Sequence, residues 1–181
     1  MEYMLYRIKQ FIWAIISNYK ELDIEYLNTY LNKDELELFS TLSKIDKQHS
    51  IRVSKEALHI LNEEVSNKEL KESESFKCEL AKAGLLHDIG KSEIPLNPFS
   101  KMLAVIIDKA TKGKYRYKKN GKLLDSYYNH PFKGEKLLLN SNKEFSKELI
   151  EVVSSHHKSE EYVNKSNNYL LKIVKIADDR N

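Results

Sequence analysis

Apolar residues recur at helical spacing along almost the whole chain. Met4, Leu5, Ile8, Phe11, Ile12, Ile15 and Ile16 form the first stripe and predict an amphipathic helix. Asn32, with Glu35 three positions on, reads as a capping box opening a short helix that runs to Leu42. Val53, Ala57, Ile60, Leu61 and Val65 share one face of a longer helix that starts near Lys47. The acidic stretch from Asn62 to Ser75 reads as a polar connection, looped in part. Phe76, Leu80, Ala83 and Leu86 define the next helix, and Gly90 is placed to cap its C-terminus. Pro95 and Pro98 predict an extended segment before a helix over Ser100 to Thr111. Pro131, suited to a first helical position, opens a helix to Asn140. Phe145, Leu149, Val152, Val153 and His156 share a face of the following helix. Leu170, Leu171, Val174, Ala177 and Asp178 share a face of the last. Strand-like alternation is only local and no repeat is present, so an all-α fold is expected. Residues 1–30 form an N-terminal helical extension and residues 31–181 a single domain.

Composition narrows this picture. A chain of 181 residues, 41% hydrophobic, can bury a core of its own and is too apolar for disorder. Five Gly and three Pro are too few for a turn-rich β architecture. The net charge of +3 is unevenly placed: Lys112, Lys114, Arg116, Lys118, Lys119 and Lys122 follow one another with no acid between, leaving a mildly acidic remainder. This is not a uniformly basic nucleic-acid binder. Gly113 and Gly121 bracket the basic loop 112–122, whose Tyr115 and Tyr117 could stack on a base, so nucleic acid stays open there; a solvated loop is the plainer reading. Cys78, the single cysteine, has no intramolecular partner and suits a reducing compartment, where it reads as packed rather than reactive. The uncharged run from Gln10 to Tyr19 is far short of the ~20 residues of a membrane span, and no cleavage site follows it. A cytoplasmic protein is expected. The first apolar stripe packs on the core or against a second subunit, which makes it the candidate homodimer surface; a membrane-surface helix is the alternative.

The candidate chemistry centres on Leu85-Leu86-His87-Asp88-Ile89-Gly90-Lys91. A His-Asp pair alone is a weak signal, but this one ends an apolar helix and delivers an imidazole and a carboxylate to the interior. Buried polar groups of this kind need compensation, which a divalent cation supplies. His49, His130, His156, His157 and Asp178 also fall at helix ends or on inward faces. Any one of them could be a satisfied core residue; together with His87 and Asp88 they call for a shared cation. His59 fits no part of this pattern, and Asp179 points elsewhere on its helix.

In order along the chain, His49-Ser50-Ile51-Arg52-Val53, His87-Asp88-Ile89-Gly90-Lys91, His130-Pro131 with Gly134, His156-His157 and Ile176-Ala177-Asp178 resemble the HD superfamily of metal-dependent phosphohydrolases, in its His-Asp-Ile-Gly variant. The resemblance implies a mostly helical HD domain over residues 31–181 with a central metal site. It implies that His49, His87, Asp88 and Asp178 bind a first ion. His130, His156 and His157, with Asp88 bridging, are similar to ligands of a second ion in the subgroup that includes HD-GYP phosphodiesterases. The segment Lys158-Ser159-Glu160-Glu161-Tyr162 lacks the Gly-Tyr-Pro that names that subgroup, and Ile45 is not the acid that a third ion takes.

Mixed imidazole and carboxylate ligands suit Mn, Fe, Co, Ni or Zn better than Mg or Ca. Two bridged ions would give a hydroxide near neutral pH able to attack phosphorus, with Asp88 and Lys91 as the catalytic residues. The expected activity is hydrolysis of a phosphoester or phosphoanhydride bond in a nucleotide or similar small phosphate ester. A cyclic or linear dinucleotide phosphodiesterase, and a non-catalytic metal- or nucleotide-sensing module, are the alternatives.

Overall fold

A computed structural model describes residues 20–93, 111, 114, 122–141 and 143–181. The predicted N-terminal stripe, the segment of Pro95 and Pro98, the helix before Thr111 and nearly all of the basic loop lie outside them. Among the described residues there are nine α-helices and no strand, an all-α fold. They are α1 (Ile24–Tyr30), α2 (Lys33–Ser40), α3 (Lys44–Glu63), α4 (Lys68–Glu72) and α5 (Glu74–Leu86). A 3-10 turn over Ile89–Glu93 follows, then α6 (Lys122–Leu139), α7 (Lys147–Ser155), α8 (Glu160–Lys165) and α9 (Tyr169–Arg180).

Short polar side chains start these helices. Asn32 accepts from the Glu35 N–H at 2.9 Å while Glu35 accepts from the Asn32 N–H at 2.9 Å, the reciprocal capping box expected from that pair. Ser43, Ser73, Ser146, Ser159 and Asn168 cap α3, α5, α7, α8 and α9 in the simpler one-bond manner. The Ser43 cap opens α3 three residues before Lys47, and Asn67 caps α4 inside the stretch expected to be a polar connection.

Helix α5 is the hub. Leu80, Ala81, Ala83, Gly84, Leu85 and Leu86 are all buried, so it is apolar on nearly every side, as a helix surrounded by others must be. It packs on α1, α3, α4, α7 and α9. Its approach to α3 is close because Gly84 has no side chain: a Cβ there would stand 2.7 Å from the Ser54 Cα. Ser54 uses its hydroxyl at this crossing, donating to the Ala81 carbonyl at 2.7 Å, with the Tyr26 hydroxyl also 2.7 Å away. Leu27 of α1 and Leu31 join the same core as Ile60, Leu85, Val152 and Leu171.

Two turn expectations are corrected. Pro131 does not open its helix; it sits inside α6, which already runs from Lys122. Proline lacks an N–H, so the i−4 hydrogen bond is missing there, and packing tolerates a residue that costs about 3 kcal/mol in an ordinary helix interior. Gly90 does not cap α5 in a left-handed conformation: His87 ends the helix with right-handed angles, φ −52° and ψ −35°, and Gly90 belongs to the 3-10 turn. Gly90 is needed for proximity, since a Cβ there would meet the His130 carbonyl oxygen at 1.9 Å and the Gly134 nitrogen at 2.5 Å. Cys78 is exposed rather than packed.

Candidate metal centre

Five segments deliver polar side chains to one place. His49 projects from the second turn of α3, whose other inward residues include Ile51 and Val53. His87 and Asp88 follow the last residue of α5, His130 precedes Pro131 in α6, His156 and His157 follow α7, and Asp178 lies in the last turn of α9. His87, Asp88, His130 and His156 are buried, His49 and Asp178 are partly buried, and His157 is exposed at the rim. All seven residues singled out in the sequence as ligands thus lie together. His59 lies elsewhere, on the exposed side of α3.

Asp88 is the geometric centre. Its Oδ2 lies 3.4 Å from His87 Nε2 and 3.6 Å from His49 Nε2. Its Oδ1 lies 3.2 Å from His130 Nε2 and 3.6 Å from His156 Nε2. Each carboxylate oxygen therefore faces its own pair of imidazoles. Asp178 Oδ1 joins the Oδ2 side, 3.1 Å from His49 Nε2 and 3.7 Å from His87 Nε2. His157 joins the other, its ring 4.1 Å from that of His156 and 5.0 Å from that of His130. Ligand atoms of Asp88, His130, His156 and His157 fall within 4.8 Å of one another, as do those of His49, His87 and Asp88.

Backbone carbonyls set the rings. His87 Nδ1 lies 2.8 Å from the Gly84 carbonyl, and His156 Nδ1 lies 3.2 and 3.1 Å from those of Val152 and Val153. A carbonyl only accepts, so each Nδ1 carries a proton and each Nε2 is the atom turned towards Asp88. His87 Nε2 and Asp88 Oδ1 are buried without a hydrogen-bond partner. Buried atoms of this kind are rare in native proteins, and a cation among them would supply what is missing. The donor set fits a divalent transition metal.

Charge shifts follow from this crowding. Burial alone would raise the Asp88 carboxyl, but Lys91, His87 and His130 hold it well below the usual range. Burial likewise opposes ionisation of Asp178, and His49 and His87 outweigh it. His87 is pushed up to about 10, the two carboxylates overcoming its burial. Burial pushes His130 down to about 4. His157 reaches the surface, but its ring lies against His156 and His130, and the desolvation there together with those imidazoles pushes it well below its ordinary value. Lys91, in the 3-10 turn, pairs directly with Asp88 Oδ2. Burial disfavours its charge, yet Asp88 and Asp46 hold the ammonium protonated.

Some neighbours escaped the sequence reading. Asp46 is a buried acid one turn before His49. Its spacing in α3 was the available signal, masked by its second role beside the Ser43 cap. Gln48, next to His49, donates to the Lys20 and Glu21 carbonyls at 3.2 and 2.9 Å and ties the entering chain to α3. No sequence pattern marks that contact. Phe132 stands out on α6 as an exposed aromatic.

A family model, HD domain, matches residues 47–180. No curated protein and no solved structure matches the chain.

Proposed function

From the chain's membership of the HD-domain family, to which it belongs over most of its length, we propose that it is a metal-dependent phosphohydrolase whose centre would hold two divalent ions around Asp88. The observation that carries this reading is the division of Asp88, one oxygen facing His49 and His87 and the other facing His130 and His156. His49, His87 and Asp178 would hold one ion, and His130, His156 and His157 the other. The ions are drawn from Mn, Fe, Co, Ni and Zn. Bound there, such ions supply positive charge that polarises a phosphoryl group and acidifies water.

The residues of the chain do the rest. The Gly84 and Val152 carbonyls fix the imidazole tautomers, so no reorganisation is needed when charge arrives. Lys91 has its ammonium at the edge of the centre, 24% exposed, where it can meet the phosphate oxygens of a substrate as charge builds on them. The substrate proposed is a small phosphate ester or anhydride, a nucleotide above all. No described helix is long and apolar enough to cross a membrane, and the lone Cys78 suits the cytoplasm. A homodimer through the apolar stripe of residues 4–16 completes the reading.

Anaerobic purification, reconstitution with each candidate metal and a panel of nucleotides, phosphomonoesters and linear or cyclic dinucleotides test it. Metal-dependent release of phosphate or nucleotide is expected, falling by about 100-fold or more in Lys91→Ala if this cation stabilises the transition state as oxyanion donors do. Turnover confined to dinucleotides would move the assignment to a phosphodiesterase. Bound metal without turnover on any phosphoester would make the chain a sensing module.

A further inference from the structure

Helices α3 and α5 run antiparallel, and their register can be read from two contacts. Gly84 of α5 lies against Ser54 of α3. Just past the end of α5, Asp88 Oδ2 lies 3.6 Å from His49 Nε2. One further turn along both segments brings Lys91 to the level of Asp46, which stands one turn before His49 on the same side of α3. Asp46 is a carboxylate only 2% exposed. Helix capping accounts for an acid in this first turn, since Ser43 accepts from the Asp46 N–H at 3.3 Å and donates to its Oδ2. Capping does not call for burial, which is costly for a carboxylate unless a cation faces it. Lys91 is such a cation: of the carboxylates that keep its ammonium charged, Asp46 comes after Asp88 and ahead of Asp178.

The pairing of Lys91 with Asp88 Oδ2 conflicts with a metal at the same place. An ion held by His49, His87 and Asp88 would compete with the ammonium for one carboxylate, and the two cations would repel each other. Lysine is a compact charge on a flexible stem, so its head can swing to another anion without unfolding its surroundings. We propose that Asp46 is a positioning residue for Lys91, the second seat to which the ammonium moves when a divalent ion claims Asp88. This rests on the metal-dependent reading above. The move relieves the repulsion and keeps the ammonium beside the centre, where a substrate phosphate can meet it. Asp46 itself touches neither ion nor substrate in this role.

The test is a double-mutant cycle read as the Co(II) affinity of the full chain, measured by competition with a chromophoric chelator without oxygen or substrate. Asp46→Asn removes the charge at constant size. It should weaken Co(II) binding by about 10-fold more with Lys91 present than in Lys91→Met, because only the lysine needs a seat. The Co(II) absorption spectrum should stay the same, since no ligand is lost. An equal loss in both backgrounds would mean that Asp46 acts through the helix cap or its general field alone, and a changed spectrum would make it a ligand; either result overturns the proposal. A crystal structure of the Zn(II)-loaded wild type asks the same question without a variant. Lys91 Nζ should stand within hydrogen-bonding reach of Asp46, and an Nζ still on Asp88 would overturn the second seat while leaving the metal centre standing. A wild-type chain that takes up no divalent ion would overturn the metal-dependent reading, and this inference with it.

Discussion

Lys91 and Asp88 are bound in one small electrostatic problem. Asp88 is 1% exposed, and the Lys91 ammonium pairs with it directly, the first of the charges that hold its carboxyl down, with His87 beside it. Lys91→Met keeps most of the side-chain volume and removes that charge. Breaking a buried pair from one side costs about 3–5 kcal/mol. The metal-free variant should unfold at correspondingly lower urea concentration and recover part of the loss when metal is added, because a bound cation takes over the compensation. An unchanged urea midpoint without metal would show that the imidazoles carry the charge instead. At this scale much of the site was legible. His87 and Asp88 are covalent neighbours at the end of an apolar run, and the helical phase of Asp178 placed it inward beside Val174. Exposure at His157 was not legible, because it follows from how α7 ends against α6 and not from the residue or its neighbours.

At the level of elements, the joint between the 3-10 turn and α6 sets the second half of the centre. Gly90 lies against the His130 carbonyl and the Gly134 nitrogen, both backbone atoms that cannot rotate away. Gly90→Ala must therefore separate the turn from α6 and draw His130 off Asp88. A stability loss of about 3 kcal/mol is expected, the upper part of the usual overpacking range. Calorimetry and a metal titration should show loss of one ion along with it; a variant as stable as the parent would mean that the turn has room to shift. Across the proline break, Asp125 accepts from Asn129 at 2.7 Å and pairs with Lys133, so one face of α6 is strapped where its own hydrogen bonding is interrupted. The long amphipathic helices could be read from periodicity, and the Asn32 box from its spacing. Interior placement of Pro131 could not, since proline is more at home at a helix start and only packing holds it elsewhere.

In the whole molecule, the fold brings five segments to one buried point, and the metal-free chain should register this in its pH dependence. His130, held down to about 4, stays neutral when folded while an unfolded imidazole takes a proton near 6.5. The unfolded state binds more protons in that window, so stability falls as pH drops from about 6.5 towards 4. His49 and His157 act in the same sense. His87, raised to about 10, contributes stability that is complete below about 6.5 and is lost as pH rises through its folded value. The metal-free protein should thus be most stable near neutrality, with urea midpoints lower at about pH 5 and pH 10 than at pH 7. A higher midpoint at pH 5 than at pH 7 would contradict the burial of neutral imidazoles.

Helical architecture and the membership of one centre were readable because periodicity and inward placement are local properties. The joining of its two halves through the separate oxygens of Asp88 is a tertiary property and needed the fold. Native mass spectrometry of the anaerobically reconstituted chain measures that junction most directly. Two divalent ions per wild-type chain at saturation, and a loss of both from Asp88→Ala, are the predicted result. A wild-type chain that carries no ion at saturation, or an Asp88→Ala chain that still carries two, would contradict it.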